Sequence, residues 1–70
     1  MSVTFKATMF GDGARGARMQ MHQCIEHPRI TKIAQKASHA AEWVVTFHVD
    51  GIANHFPTFL EALTAMEAGK

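Results

Sequence analysis

The sequence predicts a small α+β domain in which an antiparallel sheet carries helices on one face. Three observations predict this class. Apolar and polar residues alternate along three segments, as they do in strands with one buried face, and the last segment has apolar residues at helical spacing. Glycine-containing turns separate the strand-like segments. The chain has 70 residues, of which 47% are hydrophobic and 19% charged, and these values are typical of one folded domain spanning residues 1–70.

The first hairpin is predicted near the amino terminus. Residues 3–10 alternate in polarity, and the following GDGARG segment supplies glycines that tolerate the positive φ angles of a tight, flexible tip. A second alternating segment begins after this tip. A loop with an odd number of residues buries both apolar sets together, and it places Ala7 opposite Met19 and Phe5 opposite Met21.

The second hairpin is predicted around residues 43–49. This segment also alternates, and the Asp-Gly dipeptide at 50–51 is typical of a two-residue type I′ turn. The return strand is expected over residues 52–56. In this register Val49 lies opposite Ile52, and the apolar residues of both strands share one face, which includes Trp43.

The carboxyl-terminal segment is predicted to be a helix. Pro57 suits the first helical turn, and Gly69 suits the end of the helix. The residues between them place apolar side chains on a single stripe, formed by Phe59, Ala62, Leu63 and Met66.

The segment 28–41 fits both a helix and a strand. Its apolar residues recur at helical spacing, but β-branched side chains crowd its start, and no glycine closes a helix before Trp43. HPRITKIAQKA resembles FPTFLEALTAM of the last segment, and this echo favours a helix. The predicted fold is therefore a ββαββα pseudo-repeat, a four-stranded antiparallel sheet with two helices on one face. The alternative is a β-meander with a single C-terminal helix, in which residues 30–37 form a strand.

One sheet face is expected to remain open to solvent. We expect it to be a polar and mildly basic platform. Residues 3–10 are expected to form an edge strand that can pair with a second copy of the chain. The residues predicted on the open face are Thr4, Lys6, Thr8, Arg18, Gln20, His22, Cys24, Val44, Thr46, His48 and His55.

Charge and cysteine content restrict the cellular setting. The formal net charge is only +1, so composition alone does not demand a nucleic-acid partner. Cys24 is the single cysteine, which rules out an internal disulfide and favours a reducing compartment. The sequence contains neither a signal-peptide pattern nor a long apolar run, and we therefore expect a cytoplasmic protein without a membrane partner.

No motif for catalysis or cofactor binding is recognised. His22, Cys24 and His27 are three conceivable soft-metal ligands, but the second pair of a structural zinc site would have to come from His48 and His55 on the other hairpin. A histidine next to a thiol lacks the other parts of a nucleophilic site. GDGARGAR lacks the lysine and the hydroxyl residue of a phosphate-binding loop. We therefore expect no enzyme activity, no cofactor and no metal.

Five basic residues are the candidate binding residues. Arg15 and Arg18 flank the hairpin tip, and Arg29, Lys32 and Lys36 form a row on the outer side of the first predicted helix. Arginine pairs with carboxylate or phosphate through two parallel hydrogen bonds. A nucleic-acid site also needs exposed aromatic residues for base stacking, and the predicted faces leave only Phe10 outside the core.

These observations predict a small non-enzymatic protein-binding module that inhibits or adapts a larger macromolecular machine. In size and plainness the chain resembles phage and mobile-element proteins that inhibit host machinery, anti-CRISPR proteins among them, although it shares no motif with them. The alternative is a nucleic-acid-binding domain that uses the basic patch.

Overall fold

Within the described part of the chain, five strands form one antiparallel sheet in chain order, and one α-helix follows them. The structure is a computed structural model, and it describes residues 3–69. Each strand pairs with its neighbours in sequence, so the sheet is a meander with β1 at one edge and β5 at the other. The elements are β1 (Phe5–Asp12), β2 (Arg18–Cys24), β3 (Ile30–Lys36), β4 (Val44–Val49), β5 (His55–Phe56) and α1 (Phe59–Ala68).

The two-helix prediction is wrong at residues 28–41, and the β-meander alternative is correct. This segment contains β3, which lies at the centre of the sheet between β2 and β4. Ile30 is buried on the face beneath α1, whereas Ile33 is buried on the opposite face. A central strand with apolar residues on both faces loses the strict alternation of a half-buried strand, so its pattern also fits a helix.

A β-bulge divides β1 into two halves. The register shifts at Thr8, so that Met9 lies opposite Met21 after the bulge, whereas Phe5 lies opposite Cys24 before it. One extra residue in a strand reverses the face of the sheet on which each following side chain lies. Phe5 therefore faces α1, and Met9 points to the other side of the sheet.

The predicted pairing of the first hairpin is wrong for two reasons: the connection between the strands lies further along the chain, where the Gly13 N–H donates to the Ala17 carbonyl, and the bulge then shifts the register by one residue. Ala7 lies opposite His22 rather than Met19, and Cys24 enters the core in place of the predicted methionines. The predicted open face is therefore wrong along β2. The side of the sheet beneath α1, here called the helix-side face, carries Arg18, Gln20, His22 and Cys24. The opposite side, here called the open face, carries Met9, Met19, Met21 and, as predicted, Lys6, Val44, Thr46, His48 and His55.

The second hairpin has a different turn from the predicted one. Gly51 has a φ of 89°, but among the described non-glycine residues only Arg15 has a positive φ, so Asp50 does not. A type I′ turn needs positive φ at both central positions. The Ile52 N–H donates to the Val49 carbonyl at 3.0 Å and closes the turn, but this turn does not direct the chain straight back along β4.

Strand pairing therefore resumes late, and β5 is short. Phe47 lies opposite Phe56 and His48 opposite His55, so the predicted return strand over residues 52–56 shrinks to two residues. Among the described residues, no strand lies beside the outer edge of residues 44–46. Half of β4 is thus a second free edge.

Thr58 caps the amino-terminal end of α1. The Thr58 hydroxyl accepts a hydrogen bond from the Glu61 N–H at 3.2 Å and donates one to Glu61 Oε2 at 3.1 Å. Such a cap stabilises a helix by about 1 kcal/mol. Pro57 precedes the cap instead of occupying the first turn as predicted. The described residues include no helix with the length and apolarity needed to cross a membrane.

The core lies between α1 and one end of the sheet. The predicted apolar stripe of α1 packs there, and the Phe59 ring meets Phe5 and Phe47 edge-on, with centroids 5.9 and 6.1 Å away. Each aliphatic side chain buried in such a core stabilises the fold by about 1.5–3 kcal/mol. The fully buried members are Cys24, Ile30, Val49 and Ala62.

The Glu26 side chain links the segment before β1 to the end of β2. Its Oε1 accepts a hydrogen bond from the Thr4 N–H at 2.7 Å and lies 3.7 Å from Cys24 Sγ. The Thr4 N–H bond, followed by a bond from the Glu26 N–H itself, holds the pKa of this carboxyl below its ordinary value.

The lowered pKa of Glu26 predicts a specific acid sensitivity. The unfolded chain takes up this proton at a higher pH than the folded chain. The carboxylate therefore stabilises the fold above the ordinary glutamate pKa of about 4.3, and this stability disappears as the pH falls through the lower folded value. We expect Glu26→Gln to lower the free energy of unfolding near neutral pH and to flatten its decline in acid. Urea unfolding at several pH values measures this, with Glu42→Gln as control; identical pH profiles for Glu26→Gln and the unmodified protein would contradict it.

Candidate binding surface

The helix covers only one end of the helix-side face. It packs against β3, β4 and β5 above Cys24, Ile30 and Val49. Four residues further along the strands, the same face has no helix above it. We call this helix-free part the tip face, and it consists of Phe10, Gln20, Ala34 and Val45 in one cross-strand row, with Arg18, Lys36 and Trp43 beyond them.

Trp43 lies at the surface of the tip face rather than in the core. The predicted core position is wrong, because residues 3–69 contain no second helix that covers this end of the sheet, and Trp43 remains 43% exposed. Lys36 Nζ lies 5.4 Å from the centroid of the indole ring, within cation–π range. The same ammonium group donates to the His39 carbonyl at 3.4 Å. Trp43 is thus an exposed aromatic side chain held in place by a cation.

Phe10 is the second exposed aromatic residue of the tip face. It is 68% exposed, and its ring meets that of His22 edge-on at 6.5 Å. Phe10 and Val45 stand at opposite ends of their cross-strand row. Three strand spacings separate them, a width of about 14 Å. The apolar groups of this surface are therefore spread across four strands.

Basic side chains stand among these apolar groups. Lys32 and Lys36 share the helix-side face because both occupy alternate positions of β3, and Arg18 lies directly opposite Lys36. Like charges at directly opposed positions destabilise a sheet. Asp12 Oδ1 lies 3.7 Å from Arg18 Nε and offsets part of this repulsion, although both side chains are mostly exposed. Lys32 borders the core, where its Nζ lies 5.7 Å from the Phe5 ring.

The hairpin tip that carries Arg15 is held in place by the β3–β4 loop. The His39 N–H donates to the Arg15 carbonyl at 2.8 Å. Arg15 has a φ of 62° and Gly16 a φ of 81°. Left-handed backbone costs an L-residue other than glycine roughly 1 kcal/mol, so a charged side chain occupies a position that glycine would fill without strain. The prediction of a flexible tip does not take account of this anchor.

Arg29 does not belong to this surface. It lies at the other end of the molecule, where its Nη2 donates to the Asp50 carbonyl at 2.8 Å and its own carbonyl accepts from the Asp50 N–H at 2.9 Å. Arg29 therefore supports the β4–β5 turn. Of the other four candidate binding residues, Arg18 and Lys36 lie opposite each other on the tip face, Arg15 lies on the hairpin tip, and Lys32 stands on the same face next to the core.

The open face is also apolar at this end. Met19 and Met21 pack beside the buried Ile33, and Met9 and Val44 next to them are exposed. A shallow pocket of about 350 Å³ lies here over the tip ends of β1, β2 and β3, with mostly apolar walls. The tip end of the sheet thus presents apolar side chains on both faces.

The soft-metal candidates are dispersed by the fold. Cys24 is fully buried in the core, His22 stands on the helix-side face, and the His27 ring packs against Phe59 with centroids 6.0 Å apart. Within residues 3–69, no group of three His, Cys, Asp or Glu side chains is arranged to hold a metal ion. The chemistry that the tip end offers is recognition through charge-assisted hydrogen bonds and aromatic contacts.

Trp43 and Phe10 are the functional candidates that sequence reasoning missed or undervalued. The length of the apolar stripe in the last helix is the sequence feature that indicates this exposure. Its four apolar residues span about two helical turns. This length is too short to cover strands of seven residues, so one helix leaves part of the sheet face uncovered.

Comparisons of the chain with protein-family models, with curated proteins and with solved structures find no match.

The backbone of the hairpin tip predicts opposite effects of two neighbouring substitutions. Arg15→Gly relieves the left-handed strain, and we expect it to raise the free energy of unfolding by up to about 1 kcal/mol. Gly16→Ala places a Cβ 2.7 Å from His39 Cβ and 2.8 Å from the His39 nitrogen at a positive φ, and we expect a loss of about 1–3 kcal/mol. Urea denaturation measures both values. A destabilised Arg15→Gly would show that the arginine contributes to the fold rather than to a surface.

Proposed function

We propose that the protein is a non-enzymatic binding module that docks its tip face onto an acidic region of a larger protein. One observation carries this proposal: Trp43 and Phe10 are exposed on the same uncovered face as Arg18 and Lys36. Tryptophan and arginine are the residues most often responsible for binding energy at protein interfaces. Exposed aromatic residues next to cations match that composition.

Aliphatic side chains favour a protein partner over other classes. Val45 on the tip face and Val44 and Met9 on the open face are exposed at the same end. Of these three side chains only Val45 lies on the tip face itself, beside the aromatic and basic residues, and such mixtures of apolar, aromatic and basic side chains are found at protein interfaces. Base stacking makes no use of the valines or of the methionine, whereas a protein surface can bury them.

The charge distribution supports an acidic partner. Among residues 3–69, the tip end carries three cationic side chains, Arg15, Arg18 and Lys36, against the two anions Asp12 and Glu42, a net charge of +1, and Lys32 stands between the two ends. Within the same residues the helix end carries two cations, Lys6 and Arg29, against the four anions Glu26, Asp50, Glu61 and Glu67, a net charge of −2. Such a separation orients the molecule during diffusional encounter, with the tip toward negative potential.

The mode of action that we propose is inhibition or adaptation of a larger cytoplasmic machine. A domain of this size with a rigid sheet end can occupy a partner's surface and block or redirect what binds there. This is the style of action of small phage and mobile-element proteins. Its support is the small size together with the concentration of binding groups at one end.

A nucleic-acid partner is the second candidate, and a specific observation favours it. Trp43 adds a second exposed aromatic residue to Phe10, which the sequence analysis already placed outside the core, and Lys36 and Arg18 lie on the same face. Aromatic side chains on a basic sheet surface are typical of single-strand binding.

Affinity capture with tip-face variants tests the proposed function. We expect the unmodified protein to recover a specific protein from extract of its source cells after nuclease treatment. Trp43→Ala and Lys36→Glu should each weaken this complex at least tenfold, about 1.4 kcal/mol, because they remove an anchor or reverse a contact charge. Matched controls at the helix end, Leu60→Ala and Lys6→Glu, should bind normally, and circular dichroism verifies that every variant is folded.

Three outcomes would count against the protein-binding proposal. Capture that is unaffected by both tip-face variants would place the site elsewhere, and failure to recover any protein would remove its basis. Recovery that nuclease abolishes would favour the nucleic-acid candidate. In that case direct binding to single-stranded oligonucleotides should weaken steeply as salt rises.

A further inference from the structure

The outer edge of β1 is unpaired over its whole length. β1 is the first strand of the sheet, and within residues 3–69 its only strand neighbour is β2. An edge of eight residues presents a row of free backbone N–H and C=O groups that another strand can satisfy. Proteins commonly guard such edges with lysines, prolines and bulges.

The features that discourage pairing with another strand lie only in the first half of this edge. Lys6 and the bulge at Thr8 both lie there. The second half, Met9–Asp12, has no lysine, proline or bulge. Its single charge, Asp12, already lies 3.7 Å from Arg18 of its own chain. Pairing two copies through the first half would bring Lys6 toward Lys6, whereas pairing through the second half brings no unpaired like charges together.

Apolar side chains flank the unguarded half on both faces. Phe10 is 68% exposed on the helix-side face, and Met9 is 42% exposed on the open face. Gly11 has nothing within 4 Å of the place where a Cβ would be. An added strand therefore has room to lay side chains over Gly11 and would cover both exposed residues.

We propose that Met9–Asp12 pairs antiparallel with the same segment of a second copy, about a two-fold axis beside Phe10. An axis perpendicular to the sheet keeps the helix-side faces of both copies on one side. Phe10 then stands beside Phe10 of the partner copy, an aromatic cross-strand pair. On the open face, Met9 of each copy fills the space above Gly11 of the other. The product is a continuous sheet that joins two tip faces, and its formation does not rest on the proposed function.

Sedimentation analysis with a matched pair of lysine substitutions tests this dimer. The unmodified protein should approach twice the monomer mass as its concentration rises from the micromolar to the millimolar range. Phe10→Lys should weaken the dimer at least tenfold, because it introduces like charges beside the two-fold axis. Leu60→Lys replaces an equally exposed side chain on α1, 70% against 68%, and should dimerise normally. Met9→Lys, on the other face of the strand, should also weaken association.

Amide hydrogen exchange on the unmodified protein supplies a test that needs no variant. Protection of residues 9–12 should increase with protein concentration, while that of the β4 edge should not. A monomeric mass at every concentration would overturn the proposal, as would dimerisation of Phe10→Lys equal to that of the unmodified protein. Trp43→Ala should still dimerise, so loss of the partner complex and loss of the dimer are separate results.

Discussion

The fold depends on how much of the sheet one short helix can cover. A helix of ten residues is about 15 Å long, whereas the molecule extends 40 Å along its longest axis. The core therefore forms at one end of the sheet, around Ile30 and Val49. The other end has no helix packed on it among residues 3–69. Aromatic residues that a two-helix fold would bury remain at the surface. The uncovered tip face is a direct consequence of this mismatch in length.

The same end of the molecule retains two features that cost stability. Arg15 occupies a left-handed position, and Arg18 lies directly opposite Lys36 on the neighbouring strand. The left-handed backbone alone costs roughly 1 kcal/mol, of the roughly 4–10 kcal/mol that a domain of this size has. Departures from local rules that concentrate in one place are typical of functional surfaces.

Sequence patterning predicted the elements that depend on local chemistry. Both hairpins, the strand over residues 44–49 and the apolar stripe ending at Met66 follow from alternation and helical spacing. The misplaced parts depend on non-local geometry. No local pattern predicts the bulge at Thr8. The bulge places Phe5 and Met9 on opposite faces of the sheet and brings Cys24 into the core. The helical stripe in β3 arises because a central strand is buried on both faces. Arg18 and Lys36 of the predicted binding residues lie on the tip face and Arg29 does not, and their role in binding stays a prediction. The exposure of Phe10 was expected from alternation, whereas that of Trp43 was not, because it depends on how far the helix within residues 3–69 reaches along the sheet.

Fluorescence of Trp43, the single tryptophan of the chain, tests the central claim most directly. An indole at the edge of an uncovered sheet and beneath the Lys36 ammonium should emit at long wavelength. Iodide should quench it more strongly than caesium, because the surrounding charge is positive. Blue-shifted emission that neither ion quenches would mean that a second layer covers this end of the sheet, and it would contradict the account of an exposed tip face.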